Sequence, residues 1–160
     1  MESLTHLLGP VFNAHSRILI LGTFPSAKSR EARFFYGHPQ NRFWKVLAAL
    51  TKSPLPSTVE EKKALLLQNG IALWDVIKSC DIEGSSDLSI RNVVPHDIAT
   101  VTSNAPIQHI YANGSKAYEL ILRYCKNPSG LPVTKLPSTS PANASYSLER
   151  LINAWQVILS

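Results

Sequence analysis

Residues 17–23 read RILILGT, an almost unbroken apolar run that closes on Gly22 and Thr23. Continuous rather than alternating apolar character is what a strand shows when both of its faces are covered, as inside a parallel sheet. Outward from this run, IALWDVI (71–77) repeats the pattern, and HIYANG (109–114) and VTKLPST (133–139) supply two further strands. Helix signals fill the gaps between them. Thr58-Val-Glu-Glu61 has the form of a capping box and opens a segment that ends at Asn69-Gly70, just before the second strand. Ser115 is expected to cap a helix with Ala117, Leu120, Ile121 and Tyr124 on one face, and Leu148, Leu151, Ile152, Trp155 and Leu159 mark a terminal helix. The alternation predicts an α/β fold, a three-layer α/β/α sandwich around a four-stranded, mostly parallel sheet, with residues 1–160 as a single domain.

Open α/β sheets bind ligands beyond the carboxyl ends of their strands. Here those ends are Gly22-Thr23-Phe24-Pro25-Ser26, Trp74-Asp75, Asn113-Gly114-Ser115 and the stretch from Leu136 to Asn143. So much Ser, Asn, Gly and Pro on one edge locates the site. The segment GHPQNRFW (37–44) is expected to lead into a helix, with Pro39 near its first position and Asn41 in its first turn. Phe43, Val46, Leu47 and Leu50 would then form the buried stripe, and the helix would aim its amide dipoles and the Asn41 carboxamide at the same edge. From the residues alone, Asn41 is equally a capping amide, His38 a cap or packed ring, and Phe35 and Tyr36 core aromatics.

Sixteen basic residues against eleven acidic give a net charge of +5, and Lys28, Arg30, Arg33, Arg42 and Lys45 cluster with Glu31 as the lone acid. This fits either a polyanionic partner or a solvated face. Two separated cysteines, Cys80 and Cys125, suggest a reducing compartment. The first sixteen residues lack the form of a secretory signal, and no apolar run approaches the roughly 20 residues that span a bilayer. The expectation is a cytoplasmic protein, or a nuclear one in a nucleated cell, without membrane contact. The chain has no GxGxxG, no GxxxxGK[ST] and no GxSxG. Its five histidines, at 6, 15, 38, 96 and 109, form no metal-ligand spacing, so neither a metal nor a cofactor is expected.

HPQNRFWKVL (38–47) resembles the HPxNRFWKV segment of the mismatch-specific uracil-DNA glycosylases. LPSTSPAN (136–143), followed by SLERLINAW (147–155), is similar to their second motif and terminal helix, and GTFPS (22–26) stands in the place of the first motif. The ordered pattern from residue 17 onward most resembles the hypoxanthine (deoxyinosine) DNA glycosylase branch of the uracil-DNA glycosylase superfamily. That resemblance implies a monofunctional DNA glycosylase of base excision repair. Such an enzyme extrudes a deaminated nucleotide, hydrolyses its N-glycosidic bond and leaves an abasic site.

The first motif of the uracil and mismatch enzymes carries Asp or Asn just before its Pro, whereas this chain has Phe24, whose ring cannot polarise water. In the hypoxanthine branch the resemblance implies that an Asn further on takes over, which is Asn41. It also implies that Tyr36 is the platform on which the base stacks and Phe24 a second apolar wall or a backbone contact. Asp75 falls where uracil enzymes place a base-reading Asn. A carboxylate only accepts hydrogen bonds, so it would take the N1–H of hypoxanthine that adenine lacks; a helix cap or ion-pair partner is its other reading. His38 is a candidate proton donor to the purine. Gly22, Pro25, Ser26, Ser115, Lys116, Ser138, Thr139, Ser140 and Asn143 are expected to contact DNA or its phosphates, with an ordinary turn as the other reading of 138–143. Lys28 reads as a phosphate contact, and Arg91 and Asn92 are marked by a family-like SIRN stretch without a role. Pro141-Ala142-Asn143 replaces a large Leu wedge, so weakly paired bases should be preferred. The expected partner is damaged DNA, double- or single-stranded, bound by a monomer. Two other readings stay open: a glycosylase for uracil or mismatched bases, and a catalytically silent nucleic-acid-binding domain of the same fold.

Overall fold

Residues 18–22 are buried along their whole length and pair in parallel on both sides, which is why they lack any polar alternation. The computed structural model describes residues 2–6, 8–24, 34–82 and 89–159. In chain order its elements are β1 (Glu2–Thr5), β2 (Ile18–Gly22), α1 (Phe43–Thr51), α2 (Val59–Gln68), β3 (Ile71–Asp75), β4 (Ile77–Ile82), β5 (Arg91–Pro95), α3 (Ala99–Thr102), β6 (His109–Asn113), α4 (Ser115–Tyr124), β7 (Val133–Leu136) and α5 (Leu148–Trp155), which runs on into a short 3-10 turn.

The four strands read from the sequence form one parallel sheet in the order β3-β2-β6-β7. Its register sets Gly22 opposite Asp75 and Asn113 opposite Leu136, so the strands end on a common edge. Helix α2 packs on β3, α4 covers β6 and β7, and α1 lies against α5. Leu19, Ile20, Leu21, Leu73, Ile110, Phe43, Leu47, Leu151 and Trp155 are wholly buried between them. The Trp155 indole N–H donates to the Pro137 carbonyl at 2.9 Å, tying the terminal helix to the loop after β7.

Four local expectations need correction. IALWDVI is not one strand: β3 ends at Asp75, and the apolar run continues because Val76 and Ile77 are buried in the join to a second sheet. That sheet, antiparallel in the order β1-β4-β5, was not anticipated; β5 alternates around exposed positions and has no continuous apolar run. The helix after Pro39 begins later than expected, at Phe43. Asn41 N–H closes a turn on the His38 carbonyl (3.0 Å), and Asn41 Oδ1 takes the Phe43 N–H (3.0 Å), so the side chain ends a turn before the helix starts. Ser115 is the first residue of α4 and not its cap; the cap is Gly114, at φ 97°. A Cβ at Gly114 would come within 3.0 Å of the Ser138 side chain, so glycine meets both the dihedral and the close approach. The capping box at Thr58 forms as read. Leu159 extends the terminal stripe only into the 3-10 turn and stays exposed.

Candidate active site

The edge formed by Gly22, Asp75 and Asn113 is closed on one side by the start of α1 and on the other by the loop after β7. Asn41, half-buried, is held there by its oxygen. Oδ1 accepts from the Phe43 N–H at 3.0 Å and from the Thr139 hydroxyl at 2.8 Å. A backbone donor can only meet an oxygen, so the carboxamide orientation is assigned by its partners. Thr139 has no exposed surface and is itself clamped by Asn113, which donates from Nδ2 to Oγ1 and accepts the Thr139 N–H at Oδ1, both at 3.1 Å. A polar relay therefore runs from Asn113 on β6 through Thr139 to Asn41. With both lone-pair directions of Oδ1 used, Asn41 presents its NH2 group, which has no hydrogen-bond partner among the described residues.

Arg42, read from the sequence as part of a basic cluster, is occupied differently. Its guanidinium donates to the carbonyls of Thr139 (3.4 Å), Ser140 (2.8 Å), Asn143 (3.1 Å) and Tyr146, while its own N–H reaches Thr139 O at 3.0 Å. A planar fork of five donors suits this set of backbone acceptors. One side chain from the Asn41 segment thus shapes the whole 139–146 loop. Within that loop Ser138 Oγ accepts from the Ser140 N–H, Ser140 Oγ from the Ala142 N–H, and Asn143 Nδ2 donates to the Ser138 carbonyl. Ser138, Ser140 and Asn143 are partly exposed, whereas Thr139 is sealed inside.

Asp75 is buried at the end of β3, and its Oδ2 lies 2.8 Å from His6 Nε2. His6 Nδ1 accepts the Leu8 N–H at 3.1 Å, so the ring proton sits on Nε2 and points at the carboxylate. His96 stacks on Trp74 at 4.0 Å and donates from Nδ1 to the Asp75 carbonyl at 2.9 Å. Burial is the main cause that lowers the His96 pKa. Phe24 meets His6 edge to face at 5.8 Å. Tyr36 stacks on Phe43 at 4.1 Å and turns its phenol toward Gly22 and Asp75. Burial first, then the Asp75 charge, hold that phenol well above the usual tyrosine pKa, against a smaller opposing pull from Asn113.

Of the other residues picked out from the sequence, His38 Nδ1 accepts the Gln40 N–H at 3.0 Å. Ser115 is exposed and Lys116 half-exposed at the start of α4. Asn92 Nδ2 bonds the Asp81 carboxylate, away from this edge. Pro25, Ser26 and Lys28 lie outside the described residues. His6, His96, the hold of Asn113 on Thr139 and the stapling role of Arg42 were not anticipated. No group of three or more His, Cys, Asp or Glu among the described residues could hold a metal ion, and none of their helices is long and apolar enough to cross a membrane.

The uracil DNA glycosylase superfamily model matches residues 10–159. The chain belongs to this superfamily. Two relatives are each named hypoxanthine DNA glycosylase. One, from Methanosarcina acetivorans, is 35% identical over 152 residues, covering 92% of this chain and 93% of that protein. The other, from Methanosarcina barkeri, is 33% identical over 150 residues, covering 91% and 92%. The solution NMR structure of a proposed uracil DNA glycosylase from Methanosarcina acetivorans superposes with a TM-score of 0.81 at 32% identity, over 97% of this chain and 96% of that one. In this member of the superfamily Phe24 precedes Pro25 in the sequence, and the polar relay from Asn113 through Thr139 ends at Asn41.

Proposed function

We propose that the protein is a monofunctional DNA glycosylase that extrudes deoxyinosine from damaged DNA and hydrolyses its N-glycosidic bond, releasing hypoxanthine and leaving an abasic site. Membership of the superfamily and the names of its two relatives support the reaction class and the base. The observation that carries the catalytic assignment is the doubly bonded Oδ1 of Asn41.

As the bond between N9 and C1′ breaks, its electron pair goes to the purine and positive charge develops on the sugar. A sugar with that much cation character reacts with neutral water, so the water needs placing more than it needs deprotonating. Asn41, with its oxygen engaged, places it as a donor: Nδ2–H holds the water oxygen on the line to C1′, and once the C1′–O bond has formed the surplus proton passes to solvent. The N-terminus of α1, immediately behind Asn41, adds positive potential where the departing base gains negative charge. Phe24 gives an apolar wall beside the base, and Asp75 Oδ1 accepts from N1–H. Ser138, Ser140, Asn143, Ser115 and Lys116 lie along the edge where DNA phosphates would run, joined by Gly22; Pro25 and Ser26 are assigned to DNA contact from the sequence motif alone, and Thr139 acts inside, through Asn41. His38, with Nδ1 accepting, offers Nε2–H as the donor for the leaving purine. The enzyme acts on double- or single-stranded DNA as a monomer, in whichever compartment holds the chromosome.

A panel of labelled duplexes carrying inosine, uracil or xanthine opposite T, C and G, treated with alkali after incubation, tests the reading. Alkali-labile product from inosine above the other bases is expected. Product mainly from uracil would assign a different base, and binding without product from any duplex would favour a silent DNA-binding domain.

A further inference from the structure

Tyr36 carries a polar atom that the mechanism above does not use. Its phenolic Oη is buried and meets no partner in good hydrogen-bond geometry among the described residues; the Asn113 amide is the nearby polar group, and as a donor it leaves the phenol proton without an acceptor. A hydroxyl left so is costly, and its retention at a site edge calls for a ligand that completes it. The side chain is firmly aimed. Tyr36 sits at φ 54°, a left-handed conformation that a bulky residue rarely adopts. One face of its ring is covered by Phe43, at 4.1 Å and 20° between planes, and Phe43 itself has no exposure. The phenol therefore cannot swing out by a simple ring rotation.

Its tip meets Gly22. A Cβ placed on Gly22 would lie 2.7 Å from Tyr36 Oη and would overlap Asp75 Oδ1. A hydroxyl and a carboxylate oxygen thus converge on the one residue at the end of the central strand that has no side chain. They are not bonded to each other. Oδ2 of Asp75 is already taken by His6, which leaves Oδ1 as an acceptor. The pair offers one donor and one acceptor side by side.

We propose that Tyr36 Oη and Asp75 Oδ1 together read the lactam edge of the extruded base, the phenol donating to its C6 carbonyl and the carboxylate accepting its N1–H. This deepens the glycosylase reading and rests on it. It gives Tyr36 a task at the ring edge, whereas the family resemblance implies a stacking platform. Burial and the neighbouring carboxylate keep the phenol protonated, hence a donor. Adenine presents the opposite pattern: its N1 lone pair would face the carboxylate, and its amino group has no lone pair for the phenol proton. The six-oxo base is accepted and the parent base refused by the same two atoms.

The test is a binding cycle in which the hydrogen-bonding groups of the base edge and those of the protein are changed in turn. Duplexes carry a hydrolysis-resistant 2′-fluoroarabino nucleotide bearing either hypoxanthine or unsubstituted purine, which lacks both the C6 oxygen and N1–H. Kd is measured for the native protein, Tyr36→Phe and Asp75→Asn. The native protein should prefer the hypoxanthine duplex by at least about tenfold. Tyr36→Phe keeps the ring and its stack on Phe43, and should lose about tenfold on hypoxanthine with no change on purine. Asp75→Asn can keep an oxygen toward His6 and turn an NH2 toward N1, and should shift preference toward purine. Equal loss on both duplexes in Tyr36→Phe, no loss on either, or no native preference would overturn the proposal. Should Tyr36→Phe fail to fold, the native comparison and Asp75→Asn decide it: no preference, or no shift, overturns it. If these preferences hold but ordinary deoxyinosine releases no free base, the base-reading assignment stands and the glycosylase reading fails.

Discussion

Asn41 sits two residues before α1, and its carboxamide is a turn-closing group before it is the catalytic one we propose. The two roles are the same geometry: the Phe43 N–H that ends the turn also fixes which end of the amide faces outward. The Thr139 hydroxyl fixes it a second time, which makes Thr139 a positioning residue. Thr139→Val keeps the shape and removes the relay, so kcat should fall by about an order of magnitude while the Kd for an inosine duplex stays put. Thr139→Ser should restore the rate, and a failure of Ser to rescue would leave Thr139 as packing alone. Gly22→Ala is predicted to abolish turnover with the fold retained, since its Cβ claims the space of Asp75 Oδ1 and Tyr36 Oη; circular dichroism and the alkali assay together check this. At this scale the sequence was legible where a motif had an unusual composition, as in HPQNRFW. His6 was not: nothing in MESLTHLL marks a ring that meets Asp75 across 69 positions. Asn113 ended a predicted strand at the correct edge, but its hold on Thr139 depends on how two loops pack.

Among the elements, the loop after β7 is the one whose shape is borrowed. Its own residues supply short-range turns, and Arg42 supplies the rest by bonding four of its carbonyls. Arg42→Lys retains the charge but not the fork, and with each such bond worth about 1.5–3 kcal/mol, a loss of roughly 2 kcal/mol in stability is expected. Urea unfolding would measure it, and DNA affinity should weaken in parallel because the loop carries Ser138, Ser140 and Asn143. Thr58→Ala provides the contrast: removing the capping box on α2 should cost about 1 kcal/mol and leave activity intact, because its bonds join Ser57, Thr58 and Glu61 and touch none of the site residues. The parallel strands were readable because burial on both faces leaves continuous apolar runs. The second sheet was not, because β5 is largely exposed and the apolar run of β3 continues through Val76 into Ile77, the first residue of β4. The start of α1 was misplaced for a local reason, since a side-chain hydrogen bond competed with the first helical turn.

For the molecule as a whole, two desolvated histidines make stability depend on acidity: His96, just after β5 of the antiparallel sheet, and His109, which opens β6 of the parallel one. Desolvation lowers the pKa of both His96 and His109 from the ordinary 6.5. Between their folded values and 6.5 the unfolded chain binds more protons, so stability rises with pH, is fully present above that point and is lost as pH falls through the folded values. Urea midpoints at about pH 7.5 and about pH 5.5 should differ in that direction, and His96→Asn, which can still donate to the Asp75 carbonyl, should narrow the gap. The proposed function joins fold to chemistry: with Phe24 ahead of Pro25, the water-placing group we propose is an asparagine held by Thr139 and, through it, by Asn113. The most direct measurement is single-turnover release of free hypoxanthine from an inosine–thymine duplex, read by chromatography with the strand kept intact until alkali is added. The native protein should release the free base, and Asn41→Ala, bound to the duplex to the same extent, should do so at least about a hundredfold more slowly. No free base from the native protein, or an unchanged rate in Asn41→Ala, would contradict the account.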